Sequence, residues 1–556
     1  MDTRPGPRTC VHPSGRFVYG IHRPSYKVPN LRATDAVIVL GHDEQGGPVV
    51  NQSNFPEADL EIKDAQWVYE VPNPFPFWGT TYILKNPADK TAATGKDITF
   101  RPMGPRHQDS EFLRCLAKGE IKDSKGKSIS IADLPRDVHL ALAQCSRDPE
   151  VLKALCRLSC RLEYDKAGNA TGMVFKSDES SMMRPVVLDH DLFEVLGNNP
   201  ALPYDHKLAM VLNPGAQGTS PIVGEYTSEP RTHIWEYLRA NSYVPWGHWA
   251  SNMAQDAVRY SVKDLSLKDV SGLRHLYYQR VFVQMAQSLE IIGESLPKGA
   301  PSLSEQALEK LRKKILEKII AMTRSEKVLP FTATLWGWNY GYDFSSSGYR
   351  MHASHQQIHH QFALIPPKVT ACDGLEPIAT YAIGDQVASF CRDYQKTHGT
   401  SFFSAYIQAL ETNTRMDDRR DLSSELVILK ENGVMILIPK AQRSQGEVQI
   451  MLENNIGNVF EADLETRRAI DRCIFRVIRT FDQMGAEMVT CCEASRRLDA
   501  IELDQRLLYY FLPRHPDSPG AFSERQGRWV TGHYPEDFAR SFKKTLEEKV
   551  EPLLSK

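Results

Sequence analysis

At 556 residues, with 41% hydrophobic and 24% charged residues, the chain is too long for one simple core and too apolar for wholesale disorder. Two or three domains are the expectation. Lys+Arg 67 against Asp+Glu 69 leaves a formal charge of -2, which gives no electrostatic case for a dedicated nucleic-acid or membrane binder.

The N-terminal stretch MDTRPGPRTCVHPSGRF lacks the apolar core of a signal peptide, and no later run approaches a membrane span. The ten cysteines sit at no framework spacing, so reduced thiols in a cytoplasm are expected. Residues 1–110 are rich in Pro and Gly and read as turns and short strands. Trp67-Val68-Tyr69-Glu70-Val71 and Thr80-Thr81-Tyr82-Ile83-Leu84, separated by Pro72-Asn73-Pro74-Phe75-Pro76-Phe77, read as two strands joined by a stiff connection. Residues 111–230 alternate short helical and loop-like pieces. Cys156 and Cys160 are spaced to share a helix face and read as packing. The loop Asn213–Ser220 carries glycines without Walker spacing, so an ordinary turn is expected there. Ser304 caps a helix with Leu308, Leu311, Ile315 and Ile319 on one face, and Asp463 starts another whose stripe runs Ile470, Cys473, Ile474, Val477, Ile478 and Phe481 to a stop at Gly485. Strands are expected at 361–366, 425–430, 434–439, 448–452 and 487–491. This order predicts an α+β fold, an antiparallel sheet with helices packed on it.

The densest chemistry lies between Trp338 and Pro366, where His352, His355, His359 and His360 cluster. As a strand, 358–365 would set Ile358, His360, Phe362 and Leu364 on one face and Gln357, His359, Gln361 and Ala363 on the other. An imidazole between two amides suits a nucleophile whose neighbours steady phosphate oxygens as charge develops. As a helix, the segment would align His352, His355 and His359 as metal ligands. The apolar run stopped by Pro366-Pro367 and the lack of any Asp or Glu from His352 to His359 favour the strand.

The pattern Asn339-x-Gly341, then Ala353-Ser354-x-x-Gln357-x-His359-x-Gln361, resembles the active-site signature of galactose-1-phosphate uridylyltransferases and diadenosine tetraphosphate phosphorylases. These form the transferase branch of the histidine-triad superfamily. The resemblance implies that His359 attacks the α-phosphorus of a nucleotide and carries a covalent nucleotidyl intermediate, and that Gln361 contacts the same phosphate. It also implies that Asn339, Gly341 and Ser354 line the phosphate site. Gln357 stands where that family has its first histidine, the gap between Gly341 and Ala353 is longer, and no Cys-x-x-Cys pair is present. No zinc and no other cofactor is therefore expected. Asn73-Pro74-Phe75-Pro76 resembles the Asn-x-x-Pro opening of the family's first half, and Gly433–Arg443 a strand and phosphate-facing turn of the second, with Lys440 and Arg443 as substrate ligands or as a solvated turn.

The resulting expectation is a duplicated histidine-triad-like sheet. Residues 1–230 would form a large N-terminal extension or insertion, contributing first-half strands near 66–84, with 231–368 and 369–556 as the two halves. The expected activity moves a nucleoside monophosphate from a nucleotide sugar or dinucleoside polyphosphate to phosphate or a phosphorylated acceptor. The resemblance implies a homodimer; no nucleic-acid or membrane partner is expected. The alternatives are a metal-dependent enzyme using His352, His355 and His359, and a noncatalytic nucleotide-binding protein of the same fold.

Overall fold

The computed structural model describes residues 8–53, 58–63, 65–100, 110–177, 183–199, 201–211, 266–291, 303–341, 359–486, 488–514 and 520–554. The expected loop at 213–220 lies outside them. Among the described residues, no helix is long and apolar enough to cross a membrane.

In the N-terminal region, Gly20–His22 (β1), Val68–Pro72 (β2) and Thr80–Leu84 (β3) form a sheet, with β2 and β3 antiparallel as their aromatic and β-branched residues predict. The proline-rich break between them is a 3-10 turn at Pro76–Trp78 that ends on Gly79 at φ 97. A Cβ at Gly79 would lie 2.0 Å from the Gly527 carbonyl oxygen, so both backbone angle and contact demand glycine. That approach lets Arg528–Thr531 join β3 as a parallel neighbour. The strands near 66–84 thus belong to a sheet of their own, shared with the C-terminal region, and not to the sheet that carries the histidines. Cys156 is buried in the helix Pro149–Ser159 and Cys160 caps it, in keeping with a packing role.

The main layer begins with two helices, Leu267–Ser288 (α1) and Glu305–Arg324 (α2). Ser304 caps α2 by accepting from the Ala307 amide, and Leu308, Ile315 and Ile319 form its buried stripe. Next come Ala333–Gly341 (β4) and His359–Ile365 (β5), then Gly384–His398 (α3) and Phe402–Glu411 (α4). Val427–Glu431 (β6), Val434–Leu437 (β7) and Val448–Leu452 (β8) follow, then Leu464–Gln483 (α5), Met488–Ala494 (β9) and Leu508–Arg514 (β10). The strands make one seven-stranded antiparallel sheet in the order β5-β4-β9-β10-β8-β7-β6. Strands on either side of residue 368 therefore share one sheet, because β9 sits between β4 and β10.

Helices α1 and α5 cover one face. Asp463 caps α5 by accepting from the Thr466 amide, and Gly485 at φ 92 ends it. Its predicted stripe, Ile470 to Phe481, is fully buried. Helix α1 is buried over most of its surface, with Val270, Leu273, Tyr277, Val281, Phe282 and Met285 buried together with Arg274, His275 and Gln279. Its polar residues need partners, and they have them. Arg274 donates from Nε to Asp471 at 3.0 Å and from Nη2 to the Tyr509 hydroxyl at 2.8 Å. Glu493, 2% exposed, accepts from the hydroxyls of Tyr277, Tyr509 and Thr334. Burial pushes the Asp471 carboxyl up to about 6, against the pull of Arg274.

His275 shows the same economy with pH. Its Nε2 lies 2.9 Å from the Leu303 carbonyl oxygen, and burial lowers its pKa to about 4. The unfolded imidazole takes a proton near its ordinary value while the folded one does not, so stability falls as pH drops below that value towards 4. Between neutral pH and pH 5 the loss from this group is about 2 kcal/mol. A His275→Gln variant should lose correspondingly less stability over that interval in urea unfolding. Equal losses in the two proteins would show that His275 does not set the acid limb.

Candidate active site

The ladder between β4 and β5 aligns the two segments singled out in the sequence. Asn339 pairs with His359, Trp338 with His360, and Gly337 with Gln361. On its other side β4 pairs with β9, Gly337 opposite Cys492 and Gly341 opposite Met488. His359 opens β5, whose single ladder partner among the described residues is β4. The backbone at 359–365 is extended. Ser354, Gln357, His352 and His355 lie outside the described residues.

Burial separates the two faces of this corner. Trp336 and Trp338 are 2% exposed and Phe362 4%, packed under α1 with the Tyr277 and Phe362 rings 5.7 Å apart. On the opposite face Leu335 is 44% exposed, and Gly337, Ala363, Thr490 and Cys492 are half-buried. Following one row across the sheet from Gly337 through Cys492, Tyr510 and Gln449 to Leu437, this face closes progressively: Tyr510 is 4% exposed and Leu437 0%. The cover begins at Trp78, whose ring lies 5.2 Å from that of Tyr510. Arg443 stacks on Trp78 at 3.9 Å and reaches Tyr510 at 4.8 Å.

Lys440 and Arg443 are neither solvated nor displayed. Arg443 donates from Nε to Glu447 at 2.8 Å, and the Glu447 side chain is 0% exposed. Lys440 is 1% exposed and donates from Nζ to Glu536, Asn413 and the Thr414 carbonyl, with the Phe17 and Tyr19 rings 5.6 Å away. Both charges are spent on internal partners, because a buried cation without one is too costly to keep. Lys440 ties the β7–β8 connection to the C-terminal region; Arg443 forms the wall beside the open corner.

Cys492 stands on the half-buried side of β9, opposite Gly337. Its thiol is held above its ordinary pKa by burial, partly offset by Arg443. Trp78, Tyr510 and Gly337 were not singled out. The signal for Gly337 was present, a glycine flanked by tryptophans inside a strand pattern. Among the described residues, no three His, Cys, Asp or Glu side chains gather as a metal site.

No protein-family model matches the chain, and no curated protein matches it. Among solved structures, a uridylyltransferase is similar at a TM-score of 0.30 and 13% identity over 45% of this chain and 70% of that one. A galt-like protein from Arabidopsis thaliana gives 0.29 and 10% over 44% and 70%. An ADP-glucose phosphorylase from Arabidopsis thaliana, solved with ADP-glucose bound, gives 0.29 and 11% over 44% and 68%. Scores of this size carry no argument about what this chain does.

Proposed function

We propose that this chain is a nucleotidyltransferase that works by a two-step, ping-pong transfer through His359. The observation that carries the reading is the ladder register, Asn339 against His359 and Gly337 against Gln361, at a corner whose far face is packed and whose near face is open. We take positions 359, 361 and 363 to share the open side, by alternation from Phe362 and Leu364, which are buried on the other. A histidine beside an amide at an open sheet edge is a setting in which a neutral imidazole can reach a phosphorus atom.

In the first step an imidazole nitrogen of His359 forms a bond to the α-phosphorus, and the bond from phosphorus to the leaving group breaks, a sugar phosphate from a nucleotide sugar or a nucleoside polyphosphate from a dinucleoside polyphosphate. The leaving oxygen takes the electron pair. In the second step an oxygen of phosphate or of a phosphorylated acceptor attacks the same phosphorus, and the pair returns to the imidazole. Gln361, Asn339 and the Gly341 backbone are proposed to steady the phosphate oxygens during both steps. Ser354 and Gln357 enter this scheme only through the resemblance of the sequence motif. The donors considered are nucleotide sugars and dinucleoside polyphosphates.

Isotope exchange tests the mechanism. With UDP-glucose, ADP-glucose and diadenosine tetraphosphate supplied in turn, one donor should exchange label with its own leaving group when no acceptor is present. Exchange that requires the acceptor would refute a covalent intermediate. If no donor exchanges, and a stoichiometric metal is lost in His355→Ala, the metal-dependent reading replaces this one.

A further inference from the structure

We infer that Gly337 holds open a trough in the sheet, between Gln361 and Cys492, that seats the uncharged nucleoside half of the bound nucleotide; the inference rests on the nucleotidyl-transfer reading. Gly337 lies in the middle of β4, hydrogen-bonded into ladders on both sides. A glycine there weakens the strand and removes a packing side chain, so it needs a reason. Conformation does not supply one, because Gly337 is absent from the positive-φ residues. Packing does not either. A Cβ built on Gly337 would meet, among the described residues, only the Cys491 carbonyl oxygen at 3.6 Å and Cys492 Sγ at 4.0 Å, ordinary contact distances. Gly79 and Gly384 differ, since a Cβ on either would clash with backbone oxygens at 2.0 and 1.8 Å. Among the described residues there is room for a side chain at 337, yet the sequence places none there.

The surroundings indicate what the space suits. Leu335, Gly337, Ala363 and Cys492 make a neutral floor, half-buried to exposed. The Trp78 and Tyr510 rings stand beyond Cys492, and the charge of the neighbouring Arg443 is already taken by Glu447. Such a floor suits an uncharged planar and sugar-like group and offers a polyphosphate no free cation among these residues. The position next to Gln361 in the ladder puts the trough beside the proposed phosphate site.

The test uses the full chain with Gly337→Ala and Gly337→Val, and UMP and AMP as probes. Both variants should keep the wild-type melting temperature within a few degrees, since the site has room and β-branched residues suit strands. Affinity for whichever nucleotide binds should fall by about tenfold or more in Gly337→Val, and less in Gly337→Ala. The same nucleotide should slow alkylation of Cys492 in the wild type, read by peptide mass spectrometry, and fail to do so in Gly337→Val. Wild-type affinity in a folded Gly337→Val, or Cys492 alkylation indifferent to both nucleotides, overturns the trough. If Gly337→Val does not fold, wild-type affinity in Gly337→Ala overturns it equally. The two readings fail separately. A donor that exchanges label normally in Gly337→Val leaves the transfer mechanism standing and removes the trough. Nucleotide protection that Gly337→Val abolishes, without any exchange in the wild type, leaves the trough as a binding site and removes the covalent chemistry.

Discussion

Replacing Arg274 with methionine should destabilise the protein by about 3–5 kcal/mol, read as a lowered urea midpoint at unchanged slope. The guanidinium is wholly buried between α1, α5 and the sheet, and four aromatic rings surround it: Trp336 at 4.4 Å, Tyr278 at 4.9 Å, and Tyr277 and Tyr509 at 5.1 Å. Its removal strands two buried carboxylates. Asp471 loses its ion pair at 3.0 Å, and Glu493 keeps its hydroxyl donors but loses the favourable charge of Arg274. The expected cost is therefore the penalty of an uncompensated charge and exceeds the value of any one contact. Removing the stranded partner as well, in Arg274→Met with Asp471→Leu, should recover part of the loss, since apolar replacement of a buried pair is often tolerated. Arg274→Lys should not rescue, because an ammonium cannot lie flat among the rings while bonding both Asp471 and Tyr509. A loss below about 1 kcal/mol for Arg274→Met would mean the pair is solvated or dispensable.

The second large effect concerns chemistry. His359→Ala should lower turnover by about 10⁴-fold or more, the scale of deleting a covalent nucleophile, while the melting temperature and nucleotide affinity change little. The side of β5 that packs the core is secured by Phe362 and Leu364, which the variant leaves intact. A comparable fall in Gln361→Ala is not expected; losing one amide donor from a phosphate costs about 10²–10³-fold, concentrated in kcat.

How far the sequence disclosed this arrangement depended on what kind of signal each element carries. β5 was legible because alternation and a proline stop are local, and α5 because Asp463, its apolar stripe and Gly485 agree with one another. Helix α1 was not expected, since a helix buried all round has no polar face to set against an apolar one. The placement of β9 between β4 and β10 was equally hidden, being a choice of pairing made across a long stretch of chain. Lys440 and Arg443 looked like ligands or solvated residues because their types and spacing were visible and their partners were not. The carboxylate that receives Lys440 is Glu536, 96 residues away. The site divides the same way: its motif residues were readable by resemblance, whereas the open floor of Gly337 and Cys492 and the wall of Trp78, Arg443 and Tyr510 exist only once the strands are laid side by side.

The central claim is that a nucleotidyl group becomes bonded to the imidazole of His359. Incubating the wild type with α-labelled UDP-glucose, ADP-glucose and diadenosine tetraphosphate, then locating the label by peptide mass spectrometry, tests it most directly. One of these donors should leave an acid-labile nucleoside monophosphate on the peptide containing His359, and His359→Ala should take up none. Labelling of His359→Ala to the wild-type level, or an adduct carried by any other residue, would contradict it.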